Sequence, residues 1–232
     1  MQNQFLELNI SDHIAEITFN RPEKANAITE QGFQQIKDTF EALSDNDEVR
    51  VIILSGNGKH FCAGIDLEVL LGLSGLVEEK CEGRKREKLR KKVLELQAPM
   101  NALENCTKPV LVAVHGACLG AGLDLIAAAD MRYCTVDAKF SIKEIDLGMV
   151  ADLGSLQRLP KLISPGMVNE MAYTGRMVSG EEAAEVGLSN KAFATQAEMH
   201  EYVKGIATTI ASKSPLSIRG TKEVLKYARE HN

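Results

Sequence analysis

Hydrophobic and polar positions alternate with period two over residues 5–10 (FLELNI) and 13–19 (HIAEITF). That alternation predicts two strands turning at Ser11-Asp12. Past NRPEKANAIT, Phe33, Ile36, Phe40 and Leu43 recur at helical spacing, with Thr29 placed to cap the helix. VRVIILSG (49–56) is a continuous apolar run, the pattern of a strand covered on both faces. Leu89, Val93, Leu96, Met100 and Leu103 predict a long helix over 87–104. Pro109 opens a second buried strand, VLVAVHG, followed by ACLGAGLDLIAAAD and two short strands, MRYCT and KFSI. The first two-thirds thus repeats strand, strand, helix. From Leu156 the pattern turns helical: Met199, Val203, Ile206 and Ile210 make one stripe, and Ser214-Pro215 ends that helix and starts another. The expected architecture is α/β, with residues 1–155 as a core and 156–232 as a helical C-terminal region.

Composition narrows the field. The chain has 232 residues, 44% hydrophobic and 25% charged, enough for a substantial core and ordinary for a soluble globular protein. A net charge of −5 gives no general attraction to nucleic acid or anionic membranes. No apolar run reaches the roughly 18 residues that span a bilayer, and MQNQFLELNI lacks the marks of a signal or transit peptide. Five scattered cysteines (Cys62, Cys81, Cys106, Cys118, Cys134) without a CxxC pair read as free thiols in a reducing compartment. His60 and His115 stand near Cys62 and Cys118, but a metal site needs more converging ligands, and none is expected. No nucleotide loop or Ser/His/Asp arrangement is present. The run EEKCEGRKREKLRKK (78–92) mixes both charges, as a solvated helix face does.

The candidate chemistry lies in glycines and acids. GKHFCAGIDL (58–67) and HGACLGAGLDL (115–125) each suit tight strand–helix packing or a backbone that faces a ligand. FSIKEIDLGMVADLGSLQRLP places Glu144, Asp146 and Asp152 in a mostly apolar setting, some twenty residues after Asp124. Taken singly, Asp152 also suits a helix cap and Asp124 a helix N-terminus. Asp146 is expected to face away from Glu144 if the strand alternation continues. Asp130 and Arg132 are expected to pair at a strand start.

NRPEKANAI, FCAGIDL, HGACLGAGLDLIAAADMRY and KEIDLGMVADLGSLQRLP, in this order and spacing, resemble the crotonase (enoyl-CoA hydratase/isomerase) superfamily, from about residue 5 to the end. The resemblance implies a crotonase-like spiral of ββα units and a helical C-terminal trimerisation region, hence a homotrimer or dimer of trimers. It implies an acyl-CoA thioester as substrate, with no cofactor beyond the coenzyme A that the substrate carries. It implies an oxyanion hole from the backbone N–H groups of Ile65 and Ala121, where most relatives have glycine at 121. It also implies a coenzyme A path along Lys24, Ala25, Ala27, Ala63, Gly64, Asp66 and Leu67. Preorganised donors stabilise the enolate formed when a thioester loses an α-proton, each by about 3 kcal/mol.

Fold alone does not name the reaction. Hydratases of the superfamily resemble one another in carrying glutamate at both 124 and 144; here 124 is aspartate, and 152, usually glycine in hydratases, is also aspartate. Asp124, Glu144 and Asp152 together resemble the dienoyl-CoA isomerase branch, which moves double bonds from the 3,5 to the 2,4 position in the β-oxidation of unsaturated fatty acids. The resemblance implies Asp152 as the base at C2, Glu144 as the acid at C6, and Asp124 holding Glu144. One carboxyl group cannot reach both carbons of an extended diene, so two are required. A carboxylate neighbour and an apolar setting would raise the pKa of Glu144. The alternatives are an enoyl-CoA hydratase or a Δ3,Δ2-enoyl-CoA isomerase. The non-enzyme alternative is a crotonase-like RNA-binding protein, against which acidity and the lack of interleaved aromatics argue. Relatives continue past KYAREHN with further helical residues, so a shortened C-terminal region is expected. The compartment implied is the cytoplasm in a bacterium, and the mitochondrial matrix or peroxisome in a eukaryote.

Overall fold

The computed structural model describes residues 5–75 and 79–231; the MQNQ start, Glu78 of the charged run and the final Asn232 lie outside them. In chain order the strands are β1 (Leu6–Ser11), β2 (Ile14–Phe19), β3 (Val51–Gly56), β4 (Val110–Val114), β5 (Ala117–Leu119), β6 (Met131–Thr135), β7 (Lys139–Ser141), β8 (Val178–Ser179) and β9 (Lys191–Phe193). The helices are α1 (Glu30–Asp45), α2 (Leu67–Gly75), α3 (Glu82–Asn105), α4 (Ala121–Ala127), α5 (Ser155–Arg158), α6 (Pro165–Thr174), α7 (Gly180–Glu185), α8 (Gln196–Ala211) and α9 (Pro215–Glu230).

One sheet runs β1-β2-β3-β4-β6-β9, with β1 and β2 an antiparallel hairpin and every later pairing parallel. The apolar runs explain its middle. In β3, Ile52 and Leu54 enter the main core while Val51 and Ile53 face a second cluster. Val110, Val112 and Val114 of β4 divide from Leu111 and Ala113 in the same way. A strand buried on both faces needs no polar alternation. The cover on the second face is α8, whose Met199, Val203 and Ala207 are buried against it, with Ile206 and Ile210 packed alongside. Thr29 caps α1 by accepting the Gly32 N–H at 3.0 Å, an interaction worth about 1 kcal/mol.

Three expectations need correction. The stretch after Leu156 is not wholly helical: β9 joins the large sheet beside β6, and β8 pairs with β7 in the smaller sheet β5-β7-β8. KEID does not extend β7; Glu144–Leu147 form a 3-10 turn closed by Gly148 at φ 69°, and Asp146 pairs with Lys143 at 2.6 Å. Asp130 pairs with Lys222 of α9 at 2.7 Å rather than with Arg132. The Arg132 guanidinium is buried and donates instead to the carbonyls of Leu188 (2.8 Å) and Ala129 (2.7 Å). No helix among the described residues is long and apolar enough to cross a membrane.

Candidate active site

The two glycine segments lie side by side. Cys62 N–H donates to Ala117 O at 2.9 Å and Leu119 N–H to Cys62 O at 3.0 Å, so 61–65 runs against β5. β5 in turn pairs with β7, Leu119 opposite Ser141, and Gly120 N–H donates to Ser141 O at 3.0 Å. Three short segments therefore end together, delivering Ile65, Ala121 and Glu144 to one place. Gly64 is needed for that closeness. At φ 102°, a Cβ on it would stand 2.9 Å from Leu119 O and 3.6 Å from Ala121 N. Among the described residues, neither Ile65 N–H nor Ala121 N–H has an acceptor. Two free amides converge there, the arrangement an oxyanion needs.

The acids are graded by burial. Asp124, on α4, is fully buried; its Oδ1 accepts the Ser155 N–H at 2.6 Å, while Oδ2 has no partner among the described residues. Glu144 is half-buried against Gly120, and its Oε2 also lacks a partner among these residues. Among the described residues no hydrogen bond joins Asp124 to Glu144, and the Glu144 charge opposes rather than holds an ionised Asp124. Burial first, then the Glu144 charge, push Asp124 up to about 7. Burial, then the Asp152 charge, raise Glu144 above the usual carboxylate range. Asp152 is exposed, yet the walls around it exclude enough water to raise its carboxyl as well. Asp152 caps no described helix: α5 starts at Ser155 with Gly154 at its N-cap, and Ser155 N–H finds its side-chain acceptor in Asp124. Beside the acids opens an apolar cavity of about 360 Å³, lined by Ile142, Ile145, Val150, Ala151, Leu156 and Val168 among others.

The expected coenzyme A path is a second zipped pair of segments. Ala63 N–H donates to Ala25 O, Ile28 N–H to Gly64 O and Asp66 N–H to Ile28 O, at 2.8–2.9 Å. Ala25, Ala27 and Ala63 are half-buried, Gly64 is buried, and Lys24 and Leu67 are exposed at the rim. Asp66 turns inward: it pairs with Arg21, its Oδ1 accepts the Glu68 N–H at 2.9 Å, and the Arg21 guanidinium beside it holds its carboxyl below the usual range.

Two residues that the sequence reading passes over organise this wall. Arg21 also donates to Ala27 O at 3.1 Å. Asn26 is fully buried at φ 54°, accepts Arg21 N–H, and donates to Asn57 O and His60 O. Both stand in NRPEKANAI; an asparagine among small residues is the usual mark of a left-handed position. Cys62, fully buried, donates its thiol to Asn26 O at 3.2 Å, and burial pushes that thiol up to about 12. Among the described residues no group of three or more His, Cys, Asp or Glu side chains is gathered to hold a metal.

A family model described as enoyl-CoA hydratase/isomerase matches residues 9–232. A peroxisomal Δ3,5-Δ2,4-dienoyl-CoA isomerase of Arabidopsis thaliana is 45% identical over 228 residues, covering 98% of this chain and 82% of that one. A mitochondrial protein of the same name from Homo sapiens is 39% identical, covering 95% of this chain and 67% of that one. The crystal structure of an enoyl-CoA hydratase from Bacillus anthracis superposes with a TM-score of 0.88 at 29% identity, covering 99% of this chain and 85% of that one. The alignment with the family model spans both glycine segments and all three acids, and the chain belongs to the enoyl-CoA hydratase/isomerase family.

Proposed function

We propose that this chain isomerises 3,5-dienoyl-CoA to 2,4-dienoyl-CoA. The observation that carries the reading is a graded set of acids, Asp124, Glu144 and Asp152, beside two backbone N–H groups that have no acceptor among the described residues. Relatives named as dienoyl-CoA isomerases, at 45% and 39% identity, support it.

In this reading the thioester oxygen rests on Ile65 N–H and Ala121 N–H. Asp152, the most exposed acid, is ionised and takes a proton from C2. The electron pair spreads through the diene as a dienolate, with charge on the held oxygen. Glu144, kept protonated by burial and by the charge of Asp152, gives its proton to C6. The C2–H bond breaks, a C6–H bond forms, and the double bonds come to rest at C2 and C4. Glu144 ends ionised and Asp152 protonated, so a proton must pass back through solvent before the next turnover.

The apolar cavity beside Glu144 would take hydrocarbon beyond C6. Lys24, Ala25, Ala27, Ala63, Gly64 and Leu67 would line the coenzyme A path, with Asp66 supporting it through Arg21. Coenzyme A arrives with the substrate, and no step needs another cofactor. Exposed apolar side chains at Leu147, Val150 and Tyr173 support a homo-oligomer, a trimer or dimer of trimers, that covers them. The relatives' peroxisomal and mitochondrial names support a role in fatty-acid oxidation wherever the host runs it.

The test is a side-by-side assay. The chain should convert 3,5-dienoyl-CoA into a product with the strong absorbance of a conjugated 2,4-dienoyl thioester. Rapid hydration of 2-enoyl-CoA with no action on the diene would replace this reading with a hydratase.

A further inference from the structure

Asp152 presents a problem of aim. Its carboxylate is exposed, and among the described residues no side chain is hydrogen-bonded to it, while its own peptide is held. What the structure fixes is where its Cα stands, through the backbone of its segment. That segment is fastened from outside. Gln97, half-buried on α3, donates Nε2–H to Asp152 O at 2.6 Å. One and two turns further along the same helix edge, Asn101 and Glu104 hold Arg158. Its Nη2 donates to Asn101 Oδ1 at 3.0 Å and to Glu104 Oε2 at 2.6 Å, and its Nε donates to Glu104 at 3.1 Å. Arg158 and Glu104 keep only 13% and 24% of their side-chain surface exposed, so water competes weakly for this pair.

Between the two anchor points Gly154 sits at φ 136°, and the Arg158 guanidinium occupies the space a Cβ would need. From the other side Asp124 holds Ser155 N–H at 2.6 Å. The strip from Asp152 to Arg158 is thus gripped by α3 at both ends and by α4 in its middle.

Resting on the isomerase reading, we propose that Gln97 is a positioning residue: it fixes the peptide of Asp152, and through that peptide the carboxylate that works at C2. Gln97 touches no reacting atom. Its contribution is alignment, and a misplacement of about 1 Å at a reacting group can cost on the order of a hundredfold in rate.

The experiment compares Gln97→Met and Gln97→Glu in the full chain. Methionine keeps length and volume and loses the donor. Ionised glutamate turns an oxygen toward the Asp152 carbonyl and becomes a donor again when protonated. In Gln97→Met, kcat on 3,5-dienoyl-CoA should fall about tenfold with KM within roughly twofold, and amide exchange across 150–158 should quicken while α1 and β3 keep wild-type protection. In Gln97→Glu the deficit relative to wild type should be large at pH 8 and shrink below pH 5, where a glutamate, with an ordinary pKa of about 4.3, takes up its proton.

Wild-type exchange at 150–158 in Gln97→Met, or wild-type kcat despite faster exchange there, would overturn the proposal. Should that variant lose protection everywhere, the glutamate variant decides, and a pH profile parallel to wild type would overturn it. The exchange measurement needs no turnover, so the two readings fail separately. A wild-type chain inert toward dienoyl-CoA sinks the isomerase assignment, while unchanged exchange at 150–158 sinks the role of Gln97.

Discussion

Glu144 packs directly on Gly120: a Cβ built at that glycine would stand 3.1 Å from Glu144 Oε1. Gly120 has φ 48° and ψ −119°, and it immediately precedes Ala121. A side chain here would strain the backbone and push the acid away from the free amides. Gly120→Ala should therefore cost about 1–3 kcal/mol of stability and lower kcat far more than it changes KM. Thermal melting and steady-state kinetics read the two effects, and wild-type values for both would mean that Glu144 has room to spare.

The separate duties of the two acids give distinguishable losses. Asp152→Asn and Glu144→Gln should each reduce isomerisation by ~10²–10⁴-fold with folding intact. In deuterated water, Glu144→Gln should still exchange the C2 protons of bound substrate, because the base survives, whereas Asp152→Asn should not. Unchanged turnover in Asp152→Asn would remove it as the base.

Asp124 makes stability depend on pH. Its carboxyl rises from the usual 3.8 to about 7 in the folded chain. Between those values the folded state keeps a proton that the unfolded state has released, so stability falls as pH rises through the window, and the full penalty applies above it. In Asp124→Asn the new amide oxygen would still accept the Ser155 N–H without carrying charge. Asp124→Asn should be more stable than wild type at pH 8 by about 4 kcal/mol, with the gain vanishing near pH 4. Denaturant melts at several pH values test this, and a gain independent of pH would refute the linkage.

The Arg21–Asp66 pair joins the two segments of the proposed coenzyme A wall and, through Glu68 N–H, the start of α2. Asp66→Ala removes both contacts and leaves the guanidinium partly buried without its partner. It should cost roughly 1–3 kcal/mol and raise KM for coenzyme A thioesters more than it lowers kcat. Melting temperature and KM on the same preparation check it.

Much of the fold is legible in the sequence. Thr29 and the apolar face of α1 announce a capped helix, and VRVIILSG announces a strand with no solvent face. What failed has physical reasons. The alternation of KFSI suggests that β7 continues through Asp146, but Gly148 and the Lys143–Asp146 pair close a 3-10 turn instead, and that turn brings Glu144 against Gly120. Asp130 finds its cation 92 residues away, a distance no local pattern reveals. α3 begins five residues before its expected start because its first turns are charged, and Leu89 on them is still exposed. Asp124, Glu144 and Asp152 stand out by residue type, whereas the grip on Ser155 and on the peptide of Asp152 depends on tertiary contacts 31 and 55 residues apart.

The cysteines divide into four bystanders and one handle. Cys62, Cys106, Cys118 and Cys134 are buried, and burial holds all four thiols protonated. Cys81, half-exposed at the head of α3, is the accessible one. A single fluorophore delivered as a maleimide should settle there without engineering, at the far end of the helix that carries Gln97.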